Sequence, residues 1–136
     1  MMKGSCLCGA VTYSYDRERA DQALNCHCRD CQKVTGAGKV TVVGFPQDAV
    51  QIDGDYKIFE KLGTDGSHVR RAFCPDCGSQ LFTFVLEFEG FMFIKAGTMD
   101  DASWIQPVAN CWTPSGHDWC APSDGIINFE ANPPAE

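Results

Sequence analysis

The sequence has no run of apolar residues long enough to cross a membrane. A spanning helix needs about 20 consecutive apolar residues, and charged or polar residues interrupt every shorter run in this chain. The first six residues, MMKGSC, also lack the apolar region of a secretory signal peptide. We therefore expect a cytoplasmic protein with no membrane partner.

Repeats, low-complexity tracts and long amphipathic helical patterns are missing as well. Hydrophobic residues make up 44% of the 136 residues and charged residues 21%, which is typical of a folded soluble protein and not of a disordered one. A chain of this length buries roughly 68% of the surface that its unfolded form would expose. The sequence therefore predicts a single domain over residues 1–136. A domain of this size buries enough surface to fold without a metal, unlike very small domains.

Excess positive charge is also absent. The chain has 11 Lys and Arg residues against 18 Asp and Glu residues, a formal net charge of −7. A nucleic-acid partner requires a basic face, so we expect none. An anionic small substrate would need local cations, and five side chains are candidates, although each is more simply interpreted as a solvated surface charge: Arg29, Lys33, Arg70, Arg71 and Lys95.

Cysteine, in contrast, is abundant. In a reducing compartment close cysteines indicate metal ligands or catalytic thiols, and the odd total of nine fits a disulfide framework poorly. Seven of them form three close groups: Cys6 and Cys8; Cys26, Cys28 and Cys31; Cys74 and Cys77. These thiolates are enough for one complete tetrahedral zinc site and one incomplete site. Two filled sites would bring the net charge to about −10, because seven thiolates and two zinc ions add −3.

The central group is the most informative of the three. Residues two apart share a face of an extended backbone, so Cys26 and Cys28 can point to one metal, and Cys31 can join them after a turn. His27 then points the other way, and we expect it to pack or to support the ligands instead of binding the metal. A zinc ion held by three thiolates can accept water or an incoming thiol, so this group is expected to carry the chemistry.

The segment 74–78 (CPDCG) is the strongest single metal signal. A Cys-x-x-Cys turn lets two thiolates grip one ion while backbone amides face the sulfur atoms. The alternative, a redox motif, requires a βαβ context, which the surrounding pattern does not show. Like Cys6 and Cys8, this pair supplies half of a tetrahedral site and needs a partner pair from elsewhere in the chain.

Alternating patterns and turn signals predict a mainly β protein. The expected strands cover residues 10–15, 39–45, 50–52, 56–62, 69–73, 81–87 and 91–96. Aromatic side chains of the last hairpin are expected in the core: Phe82, Phe84, Phe88, Phe91 and Phe93. A loop rich in Pro and Gly is predicted for most of the C-terminal third. The architecture is therefore antiparallel β, with short strands and metal clips at their ends.

Four motifs in register resemble one known family. They are GSCLCGAV at 4–11, CHCRDCQK at 26–33 followed by Gly36 and Ala37, FCPDCGS at 73–79 and AGTMDD at 96–101. Together they are similar to the glutathione-dependent formaldehyde-activating enzyme (GFA) family, also called the CENP-V domain. The likeness covers about residues 4–119, which leaves 120–136 as a C-terminal extension.

The resemblance implies an Mss4-like fold of short antiparallel sheets clipped by two zinc ions. It assigns Cys6, Cys8, Cys74 and Cys77 to a structural zinc, and Cys26, Cys28 and Cys31 to an open, catalytic zinc. It further implies a carbon–sulfur lyase that binds the thiol of glutathione as co-substrate and forms or cleaves its adduct with formaldehyde or another small electrophile.

Two alternatives remain beside this reading of the motifs. Cys111, Cys120 or His117 can close the second site, which would make the protein a non-catalytic zinc-stapled binding module; the family register places Cys111 on a strand, as a buried thiol. The open zinc can also serve another glutathione adduct, since the segment 115–119 (SGHDW) lacks the basic residue and the proline that the family carries there.

Overall fold

The computed structural model describes residues 1–134 and consists mainly of short strands, as predicted. The only α-helix in this part of the chain is α1, Arg29–Thr35. No helix of the described residues is long and apolar enough to span a membrane. The strands are β1 Met2–Ser5, β2 Thr12–Tyr15, β3 Ala23–Cys26, β4 Val40–Pro46, β5 Val50–Asp53, β6 Lys57–Leu62, β7 His68–Phe73, β8 Gln80–Val85, β9 Phe91–Lys95, β10 Ala109–Cys111 and β11 Ile127–Asn128.

The chain divides into two compact units. The first contains residues 1–21 and 43–104, and the second contains residues 22–42 together with the chain from Ile105 onward. A single domain over 1–136 therefore stays a prediction, and the last two residues of the predicted C-terminal extension lie outside the described part.

The first unit holds most of the apolar core. It contains the antiparallel sheet β1-β2-β5 and a second run of antiparallel strands in the order β9-β8-β7-β6. Tyr13 packs edge-on against Phe82 with ring centroids 5.2 Å apart, and Tyr15 packs in the same way against Phe45 at 5.3 Å. Such pairs add specific geometry to area burial. Phe82 is fully buried, as predicted, whereas Phe88 is 48% exposed because it lies in the turn after β8 and not on the inner face of a strand.

The second unit is organised around a short parallel sheet. Strand β10 pairs with β3 on one side and with β11 on the other, both in parallel. The C-terminal third is therefore not simply a loop. Two fully enclosed amides hold β3 to β10: Asn25 Nδ2 donates to Asn110 Oδ1 at 3.1 Å. Asn25 Oδ1 accepts from the Thr41 hydroxyl at 2.7 Å, and Asn110 Nδ2 donates to the backbone carbonyl of Ser123.

Helix α1 begins directly after the cysteine-rich end of β3. Cys28 is its N-cap, with an extended backbone and a sulfur 3.3 Å from the backbone nitrogen of Cys31. The helix ends at Gly36, whose φ of 71° lies in the left-handed region that favours glycine. A strand end, a cap and the first turn of a helix thus follow one another within six residues, where the sequence predicted only a turn.

Candidate metal centres

Cys6, Cys8, Cys74 and Cys77 come together in the first unit. Their four sulfur atoms all lie within 4.8 Å of one another, and the Cys8 sulfur is 3.7 Å from those of Cys6 and Cys74. Zinc–sulfur bonds of about 2.3 Å in a tetrahedron place the sulfur atoms about 3.8 Å apart. The spacing therefore fits a tetrahedral thiolate site, although the two contributing segments are far apart in the sequence.

Ser79 supports this four-cysteine cluster, and the sequence analysis missed it. Its hydroxyl accepts from the backbone N–H of Leu7 at 3.0 Å and lies 3.2 Å from the sulfur of Cys77. Hydrogen bonds from the hydroxyl and the backbone N–H of Ser79 lower the pKa of Cys77 to about 5. Ser79 thus ties the segment of Cys6 and Cys8 to that of Cys77, and it favours the thiolate that a metal needs.

Cys26, Cys28 and Cys31 come together in the second unit. Their sulfur atoms also lie within 4.8 Å of one another, with 3.5 Å between Cys26 and Cys31. Cys31 is buried in the first turn of α1, while Cys26 and Cys28 are partly exposed. Two of the three cysteines are therefore partly accessible to solvent.

Crowding of the three thiols opposes their ionisation when no cation is near. Hydrogen bonding with Cys28, then with Cys31, and burial together raise the pKa of Cys26 far above its ordinary value. A divalent cation reverses this effect, because its charge stabilises neighbouring thiolates. Soft sulfur donors at tetrahedral spacing select zinc over magnesium or calcium among the common divalent ions, so both clusters fit zinc.

None of the three residues considered as a fourth ligand joins this cluster within the described chain. Cys111 lies on β10 directly opposite Cys26, and burial, followed by the charges of Cys28 and Cys31, raises its pKa to about 11. Cys120 packs its side chain against Gly38, where an added Cβ would lie 2.9 Å from the Cys120 sulfur. His117 bonds to an amide side chain instead. The described geometry thus presents three donors.

His27 does not join the cluster of the three sulfur atoms, as expected from the alternation of an extended backbone. The side chain is fully buried, and neither ring nitrogen has a hydrogen-bond partner among the described residues. Burial, followed by the charge of Lys39, lowers the pKa of His27, so the ring is neutral at pH 7. Its backbone N–H donates to the carbonyl of Cys111 at 3.0 Å, which anchors the chain between Cys26 and Cys28.

Gln32 is a further supporting residue that the sequence analysis missed. Its Nε2 donates to the backbone carbonyls of His27 at 2.8 Å and Ser115 at 3.0 Å. Its Oε1 therefore accepts, from Arg29 at 2.6 Å and from His117 Nε2 at 2.8 Å. These bonds place the proton of a neutral His117 on Nε2. The His117 ring stacks on Trp119 at 4.9 Å, and Trp119 is 72% exposed.

The five candidate cations fall into two groups. Arg29, Lys33 and Arg70 are exposed, as the surface interpretation predicts, and Arg70 pairs with Glu60 at 2.6 Å. Arg71 and Lys95 are both only 6% exposed, so that interpretation is wrong for them. Their sequence surroundings gave no sign of this, because burial of a strand residue depends on what covers its face of the sheet.

Comparisons with known proteins place this mainly β, two-cluster protein in a family. The model of the glutathione-dependent formaldehyde-activating enzyme family matches residues 1–115. The fold is similar to the crystal structure of a Rhodobacter sphaeroides protein, a Northeast Structural Genomics target, with a TM-score of 0.58 and 16% identity over 94% of this chain and 99% of that one. Among curated proteins, none matches the sequence. The chain belongs to the glutathione-dependent formaldehyde-activating enzyme family, which confirms the resemblance of its motifs.

Proposed function

We propose that this protein is a zinc-dependent carbon–sulfur lyase of the glutathione-dependent formaldehyde-activating type. The observation that carries the proposal is the cluster of Cys26, Cys28 and Cys31, three sulfur donors within 4.8 Å, two of them partly exposed. Membership of the family supports the same function. The co-substrate is the thiol of glutathione, and its partner is a small electrophile such as formaldehyde.

The four-cysteine cluster has a different proposed role. A tetrahedral zinc ion bound here would have all four positions filled by protein ligands: Cys6, Cys8, Cys74 and Cys77. Closed sites of this kind stabilise the fold. Cys6 and Cys74 are buried, which protects the ion from exchange with solvent ligands. We assign the structural zinc to this cluster and the catalytic zinc to the three-cysteine cluster.

A zinc ion held by Cys26, Cys28 and Cys31 would act as a Lewis acid and would favour the anionic form of a thiol whose ordinary pKa is about 8.5, which would make that thiol a nucleophile at neutral pH. In the proposed reaction the glutathione sulfur forms a bond to the aldehyde carbon. The carbonyl electron pair moves to oxygen, which takes up one proton while the thiol has lost one. The product is the S-hydroxymethyl adduct, and the reverse reaction cleaves the same carbon–sulfur bond.

The residues around the cluster position it for this step. The Cys28 cap and the α1 turn hold Cys31 next to Cys26, and Gln32 fixes the start of the helix to the loop that carries His117. Partial exposure of Cys26 and Cys28 leaves room for a thiol to approach from solvent. Preorganised ligands of this kind lower the ordering cost of binding.

The test follows adduct formation by NMR. Zinc-loaded protein, glutathione and ¹³C-formaldehyde are mixed, and the rate is compared with that of a protein-free sample. We expect a faster rate with the wild-type protein and no acceleration with Cys31→Ser. Cys111→Ala is the matched control, because this cysteine lies on the neighbouring strand outside the cluster, and it should keep the acceleration. A wild-type rate equal to the protein-free rate sinks the proposal for formaldehyde.

A further inference from the structure

Arg71 is a buried cation for which the described chain supplies no counter-ion. Its side chain lies in the middle of β7 and is 6% exposed, and its Nε has no hydrogen-bond partner among residues 1–134. The ion pairs of the described residues leave Arg71 out. An enclosed charge without a partner is costly, and such charges in native proteins are paired or bind a ligand.

The strand register places a second cation beside it. Arg71 on β7 is directly opposite Thr83 on β8, and Thr83 is opposite Phe93 on β9. Lys95 lies two residues further along β9, therefore on the same face, and its Nζ donates to the hydroxyl of Thr83. Lys95 is as deeply buried as Arg71. A guanidinium, a hydroxyl and an ammonium group thus share one face of the sheet.

The edge strand β6 adds two exposed lysines to the same face. Phe59 on β6 is opposite Arg71, so Lys57 and Lys61 share its face because they lie two residues to either side. All six residues of β6 are exposed. Within β6 to β9, which the structure describes completely, the one acidic residue is Glu60, and it lies on the opposite face with Arg70. Every charged residue of these four strands on this face is therefore a cation, in a chain with a net charge of −7.

We propose that Arg71, Thr83 and Lys95 form a binding site for the oxyanion group of a small molecule, either a carboxylate or a phosphate. The planar guanidinium suits two-point binding of such groups, and a buried ammonium adds a point charge. Lys57 and Lys61 mark the side from which the anion approaches. This site involves none of the cysteines and does not depend on the zinc chemistry.

Isothermal titration of the zinc-loaded protein tests the site with inorganic phosphate and with succinate, at constant ionic strength against sodium chloride. We expect millimolar or tighter binding of at least one of the two anions, and the tighter one identifies the source of the oxyanion. Arg71→Met should weaken that binding at least tenfold. Arg70→Met is the matched control, since it removes the same charge from the opposite face of the same strand, and it should leave the affinity unchanged.

A second measurement separates a binding site from a structural cation. In chloride alone, Arg71→Met should melt at the same temperature as the wild type or higher, because it removes an unpaired buried charge. If this variant does not fold, Lys95→Met is used for the titration and should also weaken binding. Three results would overturn the proposal. Neither anion binds the wild type; or the Arg71 and Lys95 variants bind with the same affinity as the wild type; or Arg71→Met folds but melts well below the wild type in chloride.

Discussion

The two cysteine clusters differ in how far apart their ligands lie in the sequence. The four-cysteine cluster joins two segments, in which Cys8 and Cys74 are 66 positions apart, whereas the three-cysteine cluster comes from one stretch of six residues. The first needs the tertiary structure in order to exist, and a metal bound there stabilises that structure in return. The second is shaped locally, by a strand end and a helix cap. A long-range cluster is suited to holding a fold together, and a local one to presenting ligands.

Breaking the long-range cluster should have the largest effect. Structural zinc sites bind with apparent free energies of about 10–16 kcal/mol, which matches or exceeds the total stability of about 5–15 kcal/mol that is usual for a domain. We expect Cys74→Ser to be insoluble or rapidly digested in limited proteolysis, whereas Cys31→Ser stays folded. A soluble Cys74→Ser protein with an unchanged unfolding midpoint would contradict the structural assignment.

Chelation should separate the two clusters without mutation. If the three-cysteine cluster holds an open zinc, as proposed, a chelator can occupy the free coordination position, and this ion should exchange more readily than one bound by four thiolates. Mild chelation is expected to remove one of two zinc equivalents, measured by atomic emission, with no change in circular dichroism. Glutathione added beforehand should slow this removal.

Two zinc ions that leave together, or that resist equally, would instead favour two closed sites and the non-catalytic module. Cys31→Ser provides the reference, because it should contain a single, chelator-resistant equivalent.

Substitution of Gln32 tests whether its hydrogen bonds stabilise the three-cysteine cluster. Gln32→Ala leaves the backbone carbonyls of His27 and Ser115 without their shared donor, and each buried group left unpaired costs about 1–3 kcal/mol. We expect a loss of about 2 kcal/mol in urea unfolding and weaker zinc binding at the second site. Lys33→Ala is the control, because Lys33 is next to Gln32 in α1 and its side chain is exposed. An equal loss of stability in this variant would show that the hydrogen bonds of Gln32 are not the cause.

The smallest effect is expected at the end of α1. Gly36 has φ of 71°, and an added Cβ would meet nothing within 4 Å, so Gly36→Ala tests backbone strain alone. The cost should be about 1 kcal/mol in thermal or urea unfolding. Gly97→Ala, also in open space but without a left-handed backbone, should cost less. Equal effects of the two substitutions would show that the helix end does not depend on the left-handed residue.

Much of the first unit could be predicted from the sequence, and much of the second could not. Strands β2 and β7 to β9 follow alternating or aromatic patterns that reflect burial on one face. Strand β6 is exposed along its whole length, and it was predicted from the turn signal that precedes it. Strand β3 carries the buried polar residue Asn25 where an apolar one would be expected, because Asn110 satisfies its amide. That partner is invisible to local pattern, so β3 and β10 were both missed.

The cysteine groups were predictable for a different reason. Spacing of two or three residues between sulfur donors is a local property, and it survives whatever fold surrounds it. The residues that support the groups depend on contacts between distant segments. Ser79 contacts Leu7, and Gln32 contacts the loop at Ser115. Burial of Arg71 and Lys95 also depends on contacts between distant segments, since only the assembled sheet shows which of its faces is covered.

The amide pair Asn25–Asn110 also sets an order of events during synthesis. The strand that ends at Cys26 finds its partner only after a further 85 residues have been made, and that partner is itself flanked by β11. Pairings of such long range are slow, and domains assemble as the chain emerges. All four ligands of the first cluster precede β10 in the chain, since the last of them is Cys77 and β10 begins at Ala109. We therefore expect the first metal to load on a partly made chain, and the second site to mature only near termination.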